Sequence, residues 1–320
     1  MKSKPIEDMK LTLRMREYHW DTDFERCRKF LGDIFPIRRS YTNWIPSQLE
    51  NVKYGPGGPE YLDEEEDYLK IWELDERQEA NPRIIAISFT EPSGECYLSI
   101  HPNHMMYAKE IVSWMMNKVR ELKSESTDEI IFKLFVDDDD VDLTSRLAEM
   151  GIQKGDIYGD KQVRPPDAPI PDYEIPEGYT VRNVRIIEEW EKYREVQKAV
   201  FLHIKDMTFE QLELYSRATF YHPEMDIVAV DPDGTFAAFC TVRMDDESKI
   251  AELEPVGTHP DYRKLGLAKA VICEGLKRLE KHNPSAVVII GAAPSEGARK
   301  LYESVGFVNE GTVSFWRKTI

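Results

Sequence analysis

The sequence predicts an α/β chain in which a mixed central sheet flanked by helices is built twice in tandem, and three observations carry that expectation. Short apolar runs of strand length alternate along the chain with segments whose apolar residues recur at helical spacing. The order of these segments then repeats: His101-Pro102, behind a strand and ahead of an amphipathic helix, returns 158 positions later as His259-Pro260. Finally, residues 286–290 (Ala-Val-Val-Ile-Ile) carry no polar side chain, as a strand covered on both faces requires, and parallel strands are the usual case.

The first copy opens with an alternating strand over residues 11–15, and residues 23–35 place Phe24, Cys27, Phe30, Leu31 and Ile34 at helical spacing. Regularity then fails over residues 41–59, where Trp44, Tyr54 and the breaker cluster Gly55-Pro56-Gly57-Gly58-Pro59 read as a loop with aromatic anchors. The run Asp63-Glu64-Glu65-Glu66-Asp67 suits the first turn of a helix continuing through Tyr68, Leu69 and Trp72, because the positive end of a helix dipole favours carboxylates. Residues 83–90 and 95–100 form a hairpin about Pro92-Ser93-Gly94. After His101-Pro102 come a helix over 107–123, a strand over 130–136 and a short helix closing on Gly151. Asp137-Asp138-Asp139-Asp140 lacks the turn glycine and closing glutamate of a calcium loop, so it reads as a solvated connection. Pro165, Pro166, Pro169, Pro171 and Pro176 favour a stiff spacer; the expected division is therefore 1–160, a Pro-rich linker over 161–177, and a second domain over 178–320.

The second copy begins with a strand over 179–184 and a helix through Trp190, Tyr193, Val196, Val200 and Phe201, then a second helix over 209–220. Residues 227–230 and 235–243 flank Asp231-Pro232-Asp233-Gly234, a strong hairpin signal. The strand that follows holds Ile250, Ala251, Leu253 and Val256, and Pro255, which cannot donate to a ladder, suits a bulge where this strand splays from its neighbour. A helix from about Leu265 turns Ala268, Ile272, Leu276 and Leu279 inward. Beyond residues 286–290, a last short helix carries Leu301, Tyr302 and Val305 and ends on Gly306.

Composition narrows the functional classes. With 41% apolar residues and 11% aromatics, 320 residues suffice for two ordinary cores. No apolar run approaches the ~20 residues of a membrane span, and residues 1–10 lack the apolar centre of a secretory signal, so the expected address is cytoplasmic. The net charge of −17 divides into 21 basic and 33 acidic side chains before residue 161 and 21 and 26 after it. Such a surface repels nucleic acid; it favours solubility and steers cations such as amines. Cys27, Cys96, Cys240 and Cys273 form no paired motif and are expected as small buried hydrophobes, with neither disulfide nor zinc. His203 and His222 belong to no pattern, and His259 before Pro260 suits a turn; no metal is expected.

Candidate chemistry gathers in the second copy. Arg263, Lys264 and Gly266 precede a helix whose first turn has no acidic side chain, so its open amides and positive dipole end make a seat for pyrophosphate. Glu252 and Glu254, two apart on a strand, point to one face, and either could take a proton from an ammonium group. A lone Tyr302 would read as a buried aromatic, but a phenol with pKa ~10 can also donate to a departing thiolate.

The pattern Arg263-x-x-Gly266-x-Ala268 behind Val256-Gly257-Thr258 resembles the coenzyme A signature of the GNAT superfamily of N-acetyltransferases. The resemblance covers 178–320 well and the first half in outline, which implies two tandem GNAT-like domains. It further implies that Val256, Gly257 and Thr258 hold the pantetheine arm and that Arg263, Lys264, Leu265, Gly266, Leu267 and Ala268 wrap the pyrophosphate of acetyl-CoA, the acyl donor. The surroundings of Tyr302, from Arg299 to Phe307, look like the motif that holds the general acid. Glu252 sits where many relatives place the base, with Glu254 as a substitute. Ser295 stands where many have the Asn that bonds pantetheine, although a serine there can also cap the helix. In the first half the turn after His101-Pro102 reads Asn103-His104-Met105-Met106-Tyr107-Ala108, without basic residue or glycine, and Ala148 replaces the tyrosine, so that half reads as a degenerate copy. The expected function is direct acetyl transfer from acetyl-CoA to a primary amine of a small molecule or peptide. The alternative is a coenzyme A-binding regulatory module without catalysis.

Overall fold

The computed structural model describes residues 12–38, 44–55, 68–75, 82–91, 93–124, 128–201, 208–293 and 295–320. The first copy runs β1 (Thr12–Glu17), α1 (Trp20–Arg38), α2 (Pro46–Tyr54), β2 (Leu69–Asp75), β3 (Arg83–Thr90), β4 (Glu95–Ile100), a 3-10 turn (Pro102–Tyr107), α3 (Ala108–Leu122), β5 (Ile131–Asp137), α4 (Val141–Glu149) and β6 (Gln153–Arg164). The second runs β7 (Thr180–Asn183), α5 (Trp190–Val200), α6 (Phe209–Tyr215), β8 (Tyr221–Val230), β9 (Phe236–Met244), β10 (Ile250–Thr258), a 3-10 turn (Pro260–Tyr262), α7 (Leu267–Leu279), β11 (Ala286–Ala292), α8 (Glu296–Glu303) and β12 (Val308–Thr319).

All twelve strands share one mixed sheet, in the order β1-β2-β3-β4-β5-β12-β6-β11-β10-β9-β8-β7. Replacing each strand by its counterpart in the other copy gives the same order reversed, so the copies are related by a pseudo-two-fold. Their last strands are exchanged. β12 pairs antiparallel with β5 from Val313↔Asp137 to Thr319↔Ile131, β6 pairs with β11 from Val287↔Arg164, and β6 and β12 pair with each other at the centre. Residues 161–164 thus belong to β6, inside the sheet, and the extended connection starts only at Pro165. A chain cut to 178–320 would lose β6 and leave one edge of β11 unpaired.

Each copy carries helices on both faces, as strands buried on both sides demand. α3 lays Ile111, Val112, Met115 and Val119 against Leu98, Ile100 and Leu134, and α7 lays Val271, Ile272 and Leu276 against Ala238, Cys240 and Val287. The opposite faces are covered by α1 and α2 in one copy and by α5 and α6 in the other. The seam between copies is apolar where Phe35 and Ile45 meet Ile250 and Val288. All four cysteines are free and buried. No helix among the described residues is long and apolar enough to cross a membrane.

Three local expectations are corrected. The loop expected over 41–59 contains α2: Pro46 occupies its first turn, where a missing N–H costs nothing, and Leu49 and Glu50 are buried. Leu69 and Trp72 lie in strand β2, paired on both sides and buried along six of its seven residues, rather than in a helix. The helix expected over 209–220 stops at Tyr215, and β8 begins at Tyr221. Residues 56–59, the run Asp63-Glu64-Glu65-Glu66-Asp67 and His203 lie outside the described residues.

α2 also ties the copies together through Glu50, whose carboxylate accepts from Thr219 N at 2.6 Å, Thr219 Oγ1 at 2.8 Å and Phe220 N at 3.3 Å. Glu50→Ala leaves those donors without their acceptor. It should lower unfolding stability by about 3 kcal/mol, seen as a lower urea midpoint with unchanged slope.

Candidate active site

β10 and β11 part as the sequence implies. Their parallel pairing comprises Ile250↔Ala286, Ala251↔Val287 and Glu252↔Val288, and beyond Glu252 the β11-facing edge of β10 has no ladder partner. On its other edge the register with β9 slips between Leu253 and Val256, placing a bulge at Glu254 and Pro255. Val256, Gly257 and Thr258 therefore line an open wedge. Gly257 has no room for a side chain: an added Cβ would stand 2.5 Å from the Phe239 ring and 2.8 Å from Val200.

At the wide end of the wedge the 3-10 turn leads through Arg263, Lys264, Leu265 and Gly266, all exposed, into α7. Lys264 (φ 68°) and Gly266 (φ 80°) are both left-handed, and no described group accepts from the amides of Lys264 to Ala268. Alternating handedness of this kind turns successive N–H groups toward one centre, an anion nest at a helix start. Around Gly266 the space is open to 4 Å. His259 has the turn role expected of it: its ring nitrogen accepts from Asp261 N at 3.3 Å, as His101 accepts from Asn103 N at 3.1 Å in the first copy.

The two glutamates have different surroundings. Glu252 is 1% exposed, and its Oε1 accepts from Ser47 Oγ of α2 at 3.0 Å and from Arg243 Nη1 at 3.4 Å. Arg243 in turn donates to Tyr215 and lies over the Phe220 ring, so Glu252 belongs to a buried network that joins the copies. Glu254, displaced by the bulge, makes no hydrogen bond or ion pair with a described residue and can be wetted, although protein surrounds it as on the floor of a cleft. Desolvation pushes its carboxyl up to about 7, helped by the charge of Glu252 and opposed by Arg243. Water reaches the side chain and moderates this shift, and a ligand that dries the cleft would strengthen it.

Tyr302 lies across from this carboxylate on α8. Its ring is packed edge-on against Phe307, its hydroxyl has no partner among the described residues, and that oxygen is not sealed from solvent. Burial, and then Cys240 and Glu254, push its phenol well above the ordinary value, so it stays protonated. Arg299 straps α8 to the exchanged strand β6 with two bonds to the fully buried Asp160, at 2.5 and 2.9 Å. Ser295 caps α8, accepting from Ala298 N at 3.2 Å, which still leaves its hydroxyl hydrogen to donate.

Several groups at the site had no sequence signal, because they arrive from the other copy: Ser47, Asp160 and Tyr158. Tyr158 stands over Gly291 (φ 65°), where a Cβ would come within 2.5 Å of the ring, and it meets Phe135 and Phe315 edge-on. Glu254, Glu95 and Glu91 all act on its phenol. One side of the cleft is thus aromatic, with Glu254 near it and Glu95 paired with Lys133 at 3.4 Å.

The first copy keeps the wedge. β4 and β5 pair only at Glu95↔Lys133 and Cys96↔Leu134. Arg38, at the end of α1, donates to Ile100 O at the end of β4 at 3.1 Å and pairs with Asp140, the N-cap of α4. Tyr97 stacks on Phe135 at 4.6 Å between centroids.

Comparison with known proteins agrees with this geometry. The family model of the acetyltransferase (GNAT) family matches residues 186–307. A mycothiol acetyltransferase of Paenarthrobacter aurescens (strain TC1) is 29% identical over 146 residues; the match covers 43% of this chain and 45% of that protein, so the chain spans less than half the length of this curated relative. Among solved structures, a GCN5-related N-acetyltransferase from Sphaerobacter thermophilus superposes with a TM-score of 0.67 at 14% identity, covering 96% of this chain and 95% of that one. A tandem GNAT protein from the clavulanic acid biosynthesis pathway superposes with a TM-score of 0.64 at 15% identity, covering 96% and 98%. Residues 186–307 thus match the acetyltransferase (GNAT) family model, and the fold of the chain follows that of a tandem GNAT protein along nearly its whole length.

Proposed function

We propose that the chain is an N-acetyltransferase that moves an acetyl group from acetyl-CoA directly to a primary amine. The observation that carries this reading is the convergence of an open strand wedge, a nest of amides, and a carboxylate and a phenol that have no hydrogen-bond partner among the described residues. Arg263 to Ala268 would receive the pyrophosphate and Val256 to Thr258 the pantetheine arm, with Ser295 free to donate one further bond. Glu254 takes the role of base: its carboxyl titrates near neutrality and faces the cleft, whereas Glu252 is committed to Ser47 and Arg243. Tyr302 protonates the departing thiolate. Backbone amides at the bulge polarise the thioester carbonyl. The aromatic wall around Tyr158, with Glu254 near it, suits a small cationic acceptor, the form in which an amine arrives at neutral pH. The relatives named mycothiol acetyltransferase are consistent with a small-molecule acceptor. The reading of the first half as a degenerate copy is supported by its turn over 103–108, which lacks basic residue and glycine, and by Ala148 in place of the tyrosine.

The test is release of coenzyme A thiol from acetyl-CoA by the full chain across a panel of primary amines, with acetyl mass gain on the acceptor. Absence of turnover with every amine, alongside retained acetyl-CoA binding, would favour the regulatory module instead. Binding itself gives a further expectation. Acetyl-CoA at a hundredfold excess over Kd should stabilise the native chain by about 2.7 kcal/mol, read as a higher Tm. Gly266→Asp should abolish that shift while leaving the unliganded Tm close to the parent value, since Asp tolerates left-handed backbone and finds open space but places a negative charge in the nest. An unchanged shift would remove the pyrophosphate from this turn.

A further inference from the structure

We propose that His222, Glu224 and His282 form a binding site for one transition-metal ion of the zinc class, separate from the acetyl-transfer cleft. The residues come from two parts of the chain, His222 and Glu224 from the start of β8 and His282 from the 3-10 turn that continues α7. Their ligand atoms all lie within 4.8 Å of one another, and His282 Nε2 stands 3.4 Å from Glu224 Oε1. Two donors bound to one tetrahedral zinc at ~2.0–2.1 Å stand roughly 3.4 Å apart, so that pair already has the spacing of ligands. The two imidazoles, 5.4 Å between centroids, need only a small rotation to join it. Two nitrogens and one carboxylate oxygen suit zinc or its neighbours and give magnesium or calcium too few oxygens.

The surroundings hold these ligands in place. A ring nitrogen of His222 meets Met244 O at 3.3 Å, the kind of carbonyl contact that orients a ligating imidazole. Arg278 fixes the Glu224 backbone by donating to its carbonyl at 2.6 Å, while its own charge is engaged by Glu274. The nitrogen of His222 at Met244 O is Nε2, which leaves Nδ1 to the ion; Asp246 stands 4.0 Å from the same Nε2, with Lys249 as its other partner, and water would complete the coordination. The three ligand side chains are reachable from solvent, so an ion has an entry path. The cluster sits at the end of α7, and the thirteen residues of that helix separate it from the nest at the other end by about 20 Å. An ion here would take no part in chemistry. It would clamp the end of α7 to β8 and so brace the helix whose first turn forms the nest.

The experiment uses the full chain, stripped with a chelator and titrated with Zn2+ alone by calorimetry, with Co2+ absorption as a report on coordination. We expect one saturable site per chain and a higher Tm with Zn2+. His282→Ala and His222→Ala should each abolish the site, and Glu224→Gln, which keeps size and surface character, should weaken it at least tenfold. All three variants should keep the parent Tm in the absence of metal. No saturable binding to the parent chain would overturn the proposal. So would equal Zn2+ affinity in the parent and in all three variants, which would put the ion on other groups such as His101 and His104.

Discussion

Glu254→Gln should lower kcat/KM for acetyl transfer at neutral pH by about 100- to 10,000-fold, the range of a lost general base. The pH profile makes the assignment specific. A carboxyl that titrates near 7 is ionised, and able to accept the ammonium proton, only above that value; the parent enzyme should therefore lose about tenfold in kcat/KM per unit below it. In Glu254→Gln the break near 7 should vanish and the profile should keep rising to the amine's own pKa, so that the deficit shrinks as the medium deprotonates the amine directly. Stability should move the other way. The folded carboxyl titrates above its unfolded value, so its contribution is complete below the unfolded pKa, near 4.5, and is lost as pH rises through about 7. Glutamine has no charge to bury, and the variant should be somewhat more stable than the parent at pH 8, less so at pH 5. Glu252→Gln is the comparison: it weakens the bonds to Ser47 and Arg243, and should lower Tm while preserving the break near 7. If Glu252→Gln removes the break and Glu254→Gln does not, the two roles are reversed.

How much of this was legible in the sequence follows from what each element buries. Helices with one apolar stripe and strands with two apolar faces announce themselves, which is why α1, α3, α7, β3, β4 and β11 stand where periodicity puts them. The exchanged strands do not. β6 reads Gln-Lys-Gly-Asp-Ile-Tyr-Gly-Asp-Lys-Gln-Val-Arg: its first half is largely exposed, and its buried second half holds Asp160, Lys161 and Arg164, satisfied by Arg299, Asp139 and carbonyl groups, beside a buried Gln162. Polar groups that are buried with partners leave no hydrophobic alternation to read. The same blindness hides the distinction between Glu252 and Glu254. Two residues apart on a regular strand they share a face, and only the bulge, together with Ser47 from the other copy, commits one carboxylate to structure and leaves the other to the cleft. His222, Glu224 and His282 illustrate a third kind of silence, since 60 residues separate members of one cluster.

Strand exchange also ties the proposed cleft of the second copy to the first. The phenol of Tyr302 is held by α8, α8 by Arg299, and Arg299 by Asp160 on a strand that belongs in sequence to the first copy. The acetyl-transfer cleft is therefore a product of both halves.

Tyr302→Phe should lower kcat by at least about 100-fold while changing acetyl-CoA affinity little, because the ring keeps its packing against Phe307 and only the proton donor is lost. The electrostatics add a condition on how this loss combines with the first. Ionised Glu254 helps to hold the Tyr302 proton in place. On the proposed mechanism, uptake of the amine's proton by Glu254 would remove that charge and make the phenol a stronger acid as the thiolate departs, although burial remains the larger cause of its raised pKa. Base and acid would then be coupled through space. Groups that act as a unit give losses that do not add. The double variant Glu254→Gln with Tyr302→Phe should consequently fall well short of the product of the two single losses, by tenfold or more. Strict multiplication of the two losses would separate the residues into independent roles, and an intact kcat in Tyr302→Phe would assign the thiolate's proton to water.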